Sequence, residues 1–263
     1  MKKKKLNKRK QRRGIYILPN LFTTVSLFFG FFSIVSTLEK KYEIAAVAIL
    51  ISCIFDVLDG KIARLTHTTS QFGMEYDSLS DLVAFGVAPG ILIFKWSLQS
   101  IGRLGWLACF VYIACGALRL ARFNVHVRDG KELSYFRGLP IPAGASFIAC
   151  IILFSKIIEC HWNPFLILAS VYIISFLMVS NITYLSLKGD ELSQSRPFNV
   201  LVTTVLLLVL IAYKPKFIIP VLVLSYVLSG PVLIIYRAFV QRGKRVFSKQ
   251  NLSLNTDENN GRQ

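Results

Sequence analysis

Residues 56–81 read DVLDGKIARLTHTTSQFGMEYDSLSD, and four aspartates in them, Asp56, Asp59, Asp77 and Asp81, stand in or beside stretches with the composition of membrane helices. The spacing is Asp56-x2-Asp59-Gly60-x2-Ala63-Arg64-x8-Gly73-x3-Asp77-x3-Asp81. An ionised carboxylate in hydrocarbon costs at least about 2.5–3.5 kcal/mol. Four of them facing lipid would prevent insertion, so they must face a polar site.

Outward from this stretch the chain is apolar almost throughout. Hydrophobic residues make up 54% of 263, and the mean hydropathy is +0.54, well above that of a soluble domain. Because a helix needs roughly 20 apolar residues to cross the hydrocarbon core, the sequence predicts an all-α, polytopic membrane protein. About eight transmembrane helices are expected, near residues 19–38, 42–62, 78–98, 104–122, 141–159, 164–187, 198–213 and 217–238. Pro89 and Gly90 predict a kink in the third. Residues 1–14 read as a basic arm, 15–240 as the membrane-embedded domain and 241–263 as a polar tail. The apolar run from Leu21 to Leu38 is too long for a signal peptide and has no small-residue cleavage site, so it is read as the first helix.

The net charge of +17 invites a nucleic-acid reading, which its distribution argues against. Nine Lys/Arg lie in residues 1–13, two at Lys61 and Arg64, five from Arg119 to Arg137, two at Lys188 and Arg196, and six from Arg237 onward. All of these fall on the side of the N-terminus, against seven on the other side. The bias predicts both termini and the aspartate hairpin on the cytoplasmic face of the cell (inner) membrane. The arm then serves topology and attraction to anionic lipid, with no nucleic-acid partner expected. Cys53, Cys109, Cys115, Cys150 and Cys160 show no C-x-x-C pair and read as packing residues, and His67, His126 and His161 lack ligand spacing.

On the second helix Asp56, Asp59, Gly60, Ala63 and Arg64 fall at i, i+3, i+4, i+7 and i+8, and on the third Gly73, Asp77 and Asp81 repeat every four residues. Facing carboxylates repel unless a cation sits between them. Oxygen-only ligands point to a hard divalent ion, Mg²⁺ or Mn²⁺, and four acids can bridge two such ions for phosphoryl transfer. Gly60, Ala63 and Gly73 remove bulk so that a nucleotide or diphosphate can approach the backbone, and Arg64 offers a bidentate donor for phosphate. Taken singly, each of these residues also reads as a packing or structural element. Arg119, Arg122 and Arg137 are open to three readings: donors to a lipid phosphate, donors to an acceptor's carboxylate, or anchors that snorkel to headgroups. Asn20 reads as a helix cap or a ligand.

The complete pattern D-x2-D-G-x2-A-R-x8-G-x3-D-x3-D is similar to the signature of the CDP-alcohol phosphatidyltransferase family, with every position filled. The resemblance implies a membrane enzyme that uses divalent metal to move a phosphatidyl group from a CDP-linked lipid to an alcohol, releasing CMP. It implies metal binding by Asp56, Asp59, Asp77 and Asp81, a general-base role for Asp81, nucleotide-side roles for Gly60, Ala63, Arg64 and Gly73, and a homodimer. The flanks Leu18-Pro19-Asn20-Leu21-Phe22-Thr23 and Arg137-Gly138-Leu139-Pro140-Ile141-Pro142-Ala143-Gly144-Ala145 resemble the family's bacterial and archaeal phosphatidylserine synthases. That implies CDP-diacylglycerol and L-serine as substrates, with glycerol 3-phosphate or inositol phosphate as the alternative acceptors. Two other classes hold aspartates in membrane helices, and the compact hairpin with its Gly-x2-Ala-Arg insertion at the cytoplasmic helix ends fits both less well. An intramembrane prenyltransferase carries two separated acid motifs, and a cation transporter places its acids near the bilayer midplane on broken helices.

Overall fold

Apolar runs broken by short polar turns leave each helix to bury one face against its neighbours, and the core forms where those faces converge. The computed structural model describes residues 17–65, 70–128, 136–159, 162–184, 213–214 and 217–230, with Val202 and Leu206 as isolated positions. The basic arm, the polar tail and nearly all of the expected span at 198–213 lie outside the described residues.

Helix α1 (Ile17–Leu38) pairs with α2 (Tyr42–Leu65) as an antiparallel hairpin. Helix α3 (Gln71–Asp81) runs through a π-helical turn (Leu82–Val87) into α4 (Ala88–Trp96), and a 3₁₀ turn (Leu98–Ile101) leads to α5 (Arg103–Arg128). Helices α6 (Ile141–Ile158) and α7 (Pro164–Val179) follow, and α8 (Phe217–Gly230) closes the described set. The strands β1 (Phe136–Arg137) and β2 (Thr183–Tyr184) make one two-residue antiparallel bridge in an otherwise helical fold.

Four helical stretches are long and apolar enough to cross a membrane: Asn20–Leu38, Gln71–Trp96, Arg103–Val125 and Ile141–Ile158. The expected count of eight is therefore not reached among the described residues. Helix α2 is long enough but holds three or more charged residues in every 18-residue window, because the acids stand inside it. The expected span at 164–187 stops at Val179, where the chain turns extended at Ser180 and gives its backbone to the 136–139 segment. Gly138 N donates to Ile182 O at 2.8 Å and Leu139 N to Leu177 O at 2.9 Å. Gly138 has φ +84°, and a Cβ there would collide with Met178 O, so this crossing needs glycine.

The α1–α2 pair is joined deep in the bundle by Ser26 and Ser52, whose hydroxyls lie 2.8 Å apart and which also donate to each other's carbonyls. Hydrogen bonds between membrane helices are worth about 0.6 kcal/mol on average. Gly30 permits the next contact, since a Cβ there would come 2.6 Å from Ala84 Cα. The π turn thereby lies directly on α1. Around it Ala45, Ile49, Phe85, Leu92, Tyr112, Ile141 and Ile148 form the buried core. The cysteines at 53, 109, 115 and 150 are reduced packing residues.

A cavity of about 1030 Å³ opens at the far end of the bundle, between Tyr42, Trp96 and Trp162. Its Lys156 pairs with Glu43, and Lys41 pairs with Glu39, each at 2.8 Å. Fourteen residues of α2 separate Tyr42 from Asp56, roughly 21 Å at 1.5 Å per residue, so this cavity is remote from the acids.

Candidate active site

The acids are positioned by three helices that meet at one end of the bundle. Ser70 starts α3 as its N-cap, accepting from Gly73 N at 3.0 Å, and α3 then carries Asp77 and Asp81 one turn apart. Helix α2 supplies Asp56 from across the hairpin. Ligand oxygens of Asp56, Asp77 and Asp81 lie within 4.8 Å of one another, and all three residues are half-buried. Three carboxylates this close repel by about 3 kcal/mol per pair at an effective dielectric near 20. A hard divalent ion among them would remove that repulsion, and three oxygen donors fit such an ion.

Asp59 stands apart from this group. It is 6% exposed, and its carboxylate accepts the hydroxyl of Thr23 on α1. Three residues advance a helix by 300°, which splays Asp59 about 60° from Asp56 and turns it to α1. Thr23 is a hub that sequence reasoning missed, because Ser80 on α3 also donates to the Thr23 carbonyl at 3.1 Å. A threonine in an apolar run carries no signal of its own. Its place three residues after Asn20, on the same helix face, was the available hint.

Asn20 does not cap α1, which begins at Ile17; it comes instead to the acid hairpin, its Oδ1 3.4 Å from where a Cβ on Gly73 would sit. Thr24 links the same two helices, 2.9 Å from the Tyr76 hydroxyl. Gly73 is thus crowded by Ser70 and Asn20, whereas a Cβ on Gly60 would meet nothing within 4 Å. Gly60 faces open space beside the acids, and Ala63 is half-buried one turn on. The side chain of Arg64 lies outside the described residues.

The three candidate arginines part company. Arg122 directs its guanidinium to the end of α7, donating to Val179 O at 3.1 Å and Ser180 O at 3.4 Å. Arg137 pairs through its backbone with Thr183, and its side chain is outside the described set. Arg119 is 8% exposed, within electrostatic reach of Asp81, of Tyr226 on α8 and of Asp56, and its buried Nε has no hydrogen-bond partner among the described residues. A buried N–H without a hydrogen bond is expensive, so this Nε points to a ligand. Ser78 and Asn124 close the adjacent wall, with Asn124 Nδ2 donating to Ser78 Oγ at 3.0 Å.

A helical protein with spans long enough for a membrane and three convergent carboxylates beside a buried arginine has a donor set compatible with metal-assisted phosphoryl transfer. The sequence profile of the CDP-alcohol phosphatidyltransferase family matches residues 16–187, and the chain belongs to that enzyme family. It is 40% identical over 176 residues to the CDP-diacylglycerol–serine O-phosphatidyltransferase of Helicobacter pylori, covering 66% of this chain and 74% of that one. The protein of the same name from Bacillus subtilis is 33% identical over 167 residues, covering 64% and 89%. The archaetidylserine synthase of Methanothermobacter thermautotrophicus is 36% identical over 174 residues, covering 65% and 71%.

Proposed function

We propose that the chain transfers the phosphatidyl group of CDP-diacylglycerol to L-serine, giving phosphatidylserine and CMP. The observation that carries this reading is the three-acid cluster with the buried Arg119 beside it, in a chain whose relatives bear that activity in their names. Mg²⁺ or Mn²⁺ held by Asp56, Asp77 and Asp81 would polarise the diphosphate and offset the charge that develops on departing CMP. A second ion, which four acids could bridge, would need Asp59 to turn toward the cluster or to offer the oxygen that Thr23 does not hold.

The open face at Gly60, with Ala63, Arg64 and Gly73, receives the cytidine diphosphate. Asp81 takes the proton of the serine hydroxyl as that oxygen bonds to the β-phosphorus in line with the breaking bond to CMP. Arg119 binds the serine carboxylate, a planar anion that matches its fork. Asn20 lies at the margin of the same site, and Arg122 and Arg137 serve the α7 end and the membrane boundary.

Purified protein supplied with CDP-diacylglycerol and Mn²⁺ should release CMP with L-serine and not with glycerol 3-phosphate, inositol or inositol phosphate. A preference for one of the others would replace serine as acceptor. In the same assay Arg119→Gln should raise the serine KM about 10- to 100-fold, the worth of a charged hydrogen bond, with the KM for CDP-diacylglycerol little changed. A serine KM at the wild-type value would remove Arg119 from the acceptor site.

The charge distribution supports a cytoplasmic position for both termini and for the acids. A cysteine placed at the exposed Gln71 should react with a membrane-impermeant thiol reagent only after the cells are opened. Reaction in intact cells would reverse the orientation.

A further inference from the structure

In an unbroken α-helix at 100° per residue, Asp77, Asp81, Phe85, Ala88 and Leu92 would fall within about 40° of one line along the helix. The acids would then share the face that Phe85, Ala88 and Leu92 bury completely in the core. The observed helix contains the π turn Leu82–Val87 between the two sets, and Ala88 N bonds to Val83 O, five residues back. One residue in excess rotates everything before it by roughly 100° relative to everything after it. The π turn is therefore what lets Asp77 and Asp81 meet Asp56 while α4 keeps its apolar face in the core.

A π turn is a rare geometry, and something must hold it. Pro89 has no N–H for the carbonyl four residues back, that of Phe85. Tyr112 on α5 supplies the missing donor: it is fully buried, and its hydroxyl donates to Phe85 O at 2.9 Å. Gly144 on α6 packs against the same hydroxyl, and a Cβ there would collide with Met178.

We infer that Tyr112 is a positioning residue of the acid site, whose hydroxyl holds the π turn and thereby aims Asp77 and Asp81 at Asp56. The inference rests on the reading of the three acids as a divalent-metal site. Its test is the affinity of the full-length, detergent-purified protein for Mn²⁺, followed by the electron paramagnetic resonance of free Mn²⁺. Thermal unfolding is recorded on the same samples.

Tyr112→Phe, which removes the hydroxyl alone, should raise the Mn²⁺ Kd about 10-fold or more, the scale of outer-shell losses at metal sites. Adding Pro89→Ala restores a backbone donor for Phe85 O and should return the Kd to near the wild-type value. A loss of general stability alone would lower the melting temperature of both variants and leave the Kd unmoved. A Tyr112→Phe protein with the wild-type Kd, or a raised Kd that Pro89→Ala does not reverse, overturns the inference. If Tyr112→Phe alone does not fold, the double variant must fold and bind, and its failure is equally decisive. Failure of wild-type protein to bind Mn²⁺ at all would sink the metal reading instead.

Discussion

Asp77→Asn should lower CMP release about 100-fold or more and, with metal chelated, should make the protein harder to unfold. Outer-shell partners of metal sites are commonly worth roughly 10–100-fold, and Asp77 is placed to bind directly, with oxygens within 4.8 Å of Asp56 and Asp81. Asparagine keeps the shape and removes one charge. In chelator the three carboxylates repel one another, so relieving that repulsion should raise the melting temperature by a few degrees, about 2–4 °C per kcal/mol for a chain of this size. In saturating Mn²⁺ the order should reverse, because the wild type gains binding energy that the variant cannot. Lost activity without this crossover in stability would assign Asp77 a role other than metal binding.

In saturating Mn²⁺, Asp81→Asn should lower kcat by about 10²- to 10⁴-fold, the range of general-base contributions, while the KM for CDP-diacylglycerol stays within about threefold by the logic that separates transition-state from ground-state contacts. Asp81 ends α3, half-buried and within electrostatic reach of Arg119, so it can serve both the cluster and the acceptor hydroxyl. A base must be ionised to act, so the wild-type kcat should fall as pH drops through the titration of this group, and the variant should lose that limb. If kcat returned to the wild-type value at saturating metal and lipid substrate, the base role would be wrong.

The helical class, the acid hairpin and the family were legible in the sequence because they rest on runs and fixed spacings. What escaped depended on partners far along the chain. Asp56 and Asp59 share a motif, yet the 60° between them sends one to the cluster and the other to Thr23. Arg119 and Arg122 are likewise three residues apart and looked equivalent, until α7 supplied carbonyls to one of them only. The break in the third helix was expected at Pro89-Gly90; the π turn begins seven residues before Pro89, because the register change between acid face and core face needs an extra residue there. A periodicity of 3.6 carries no sign of such an insertion. The end of the expected span at 164–187 was hidden for a related reason: hydropathy does not show that residues 180–184 leave the helix to pair with 136–139.

In the proposed function the cluster of Asp56, Asp77 and Asp81 works through a divalent ion to move a phosphatidyl group from CDP-diacylglycerol to serine. The most direct test follows CMP and phosphatidylserine together in purified protein with both substrates, while the ion is withdrawn with EDTA and then restored as Mn²⁺ or Mg²⁺. Both products should stop in EDTA, return on restoration, and accumulate in equal amounts. Undiminished turnover in excess EDTA, or CMP released without phosphatidylserine, would contradict the account.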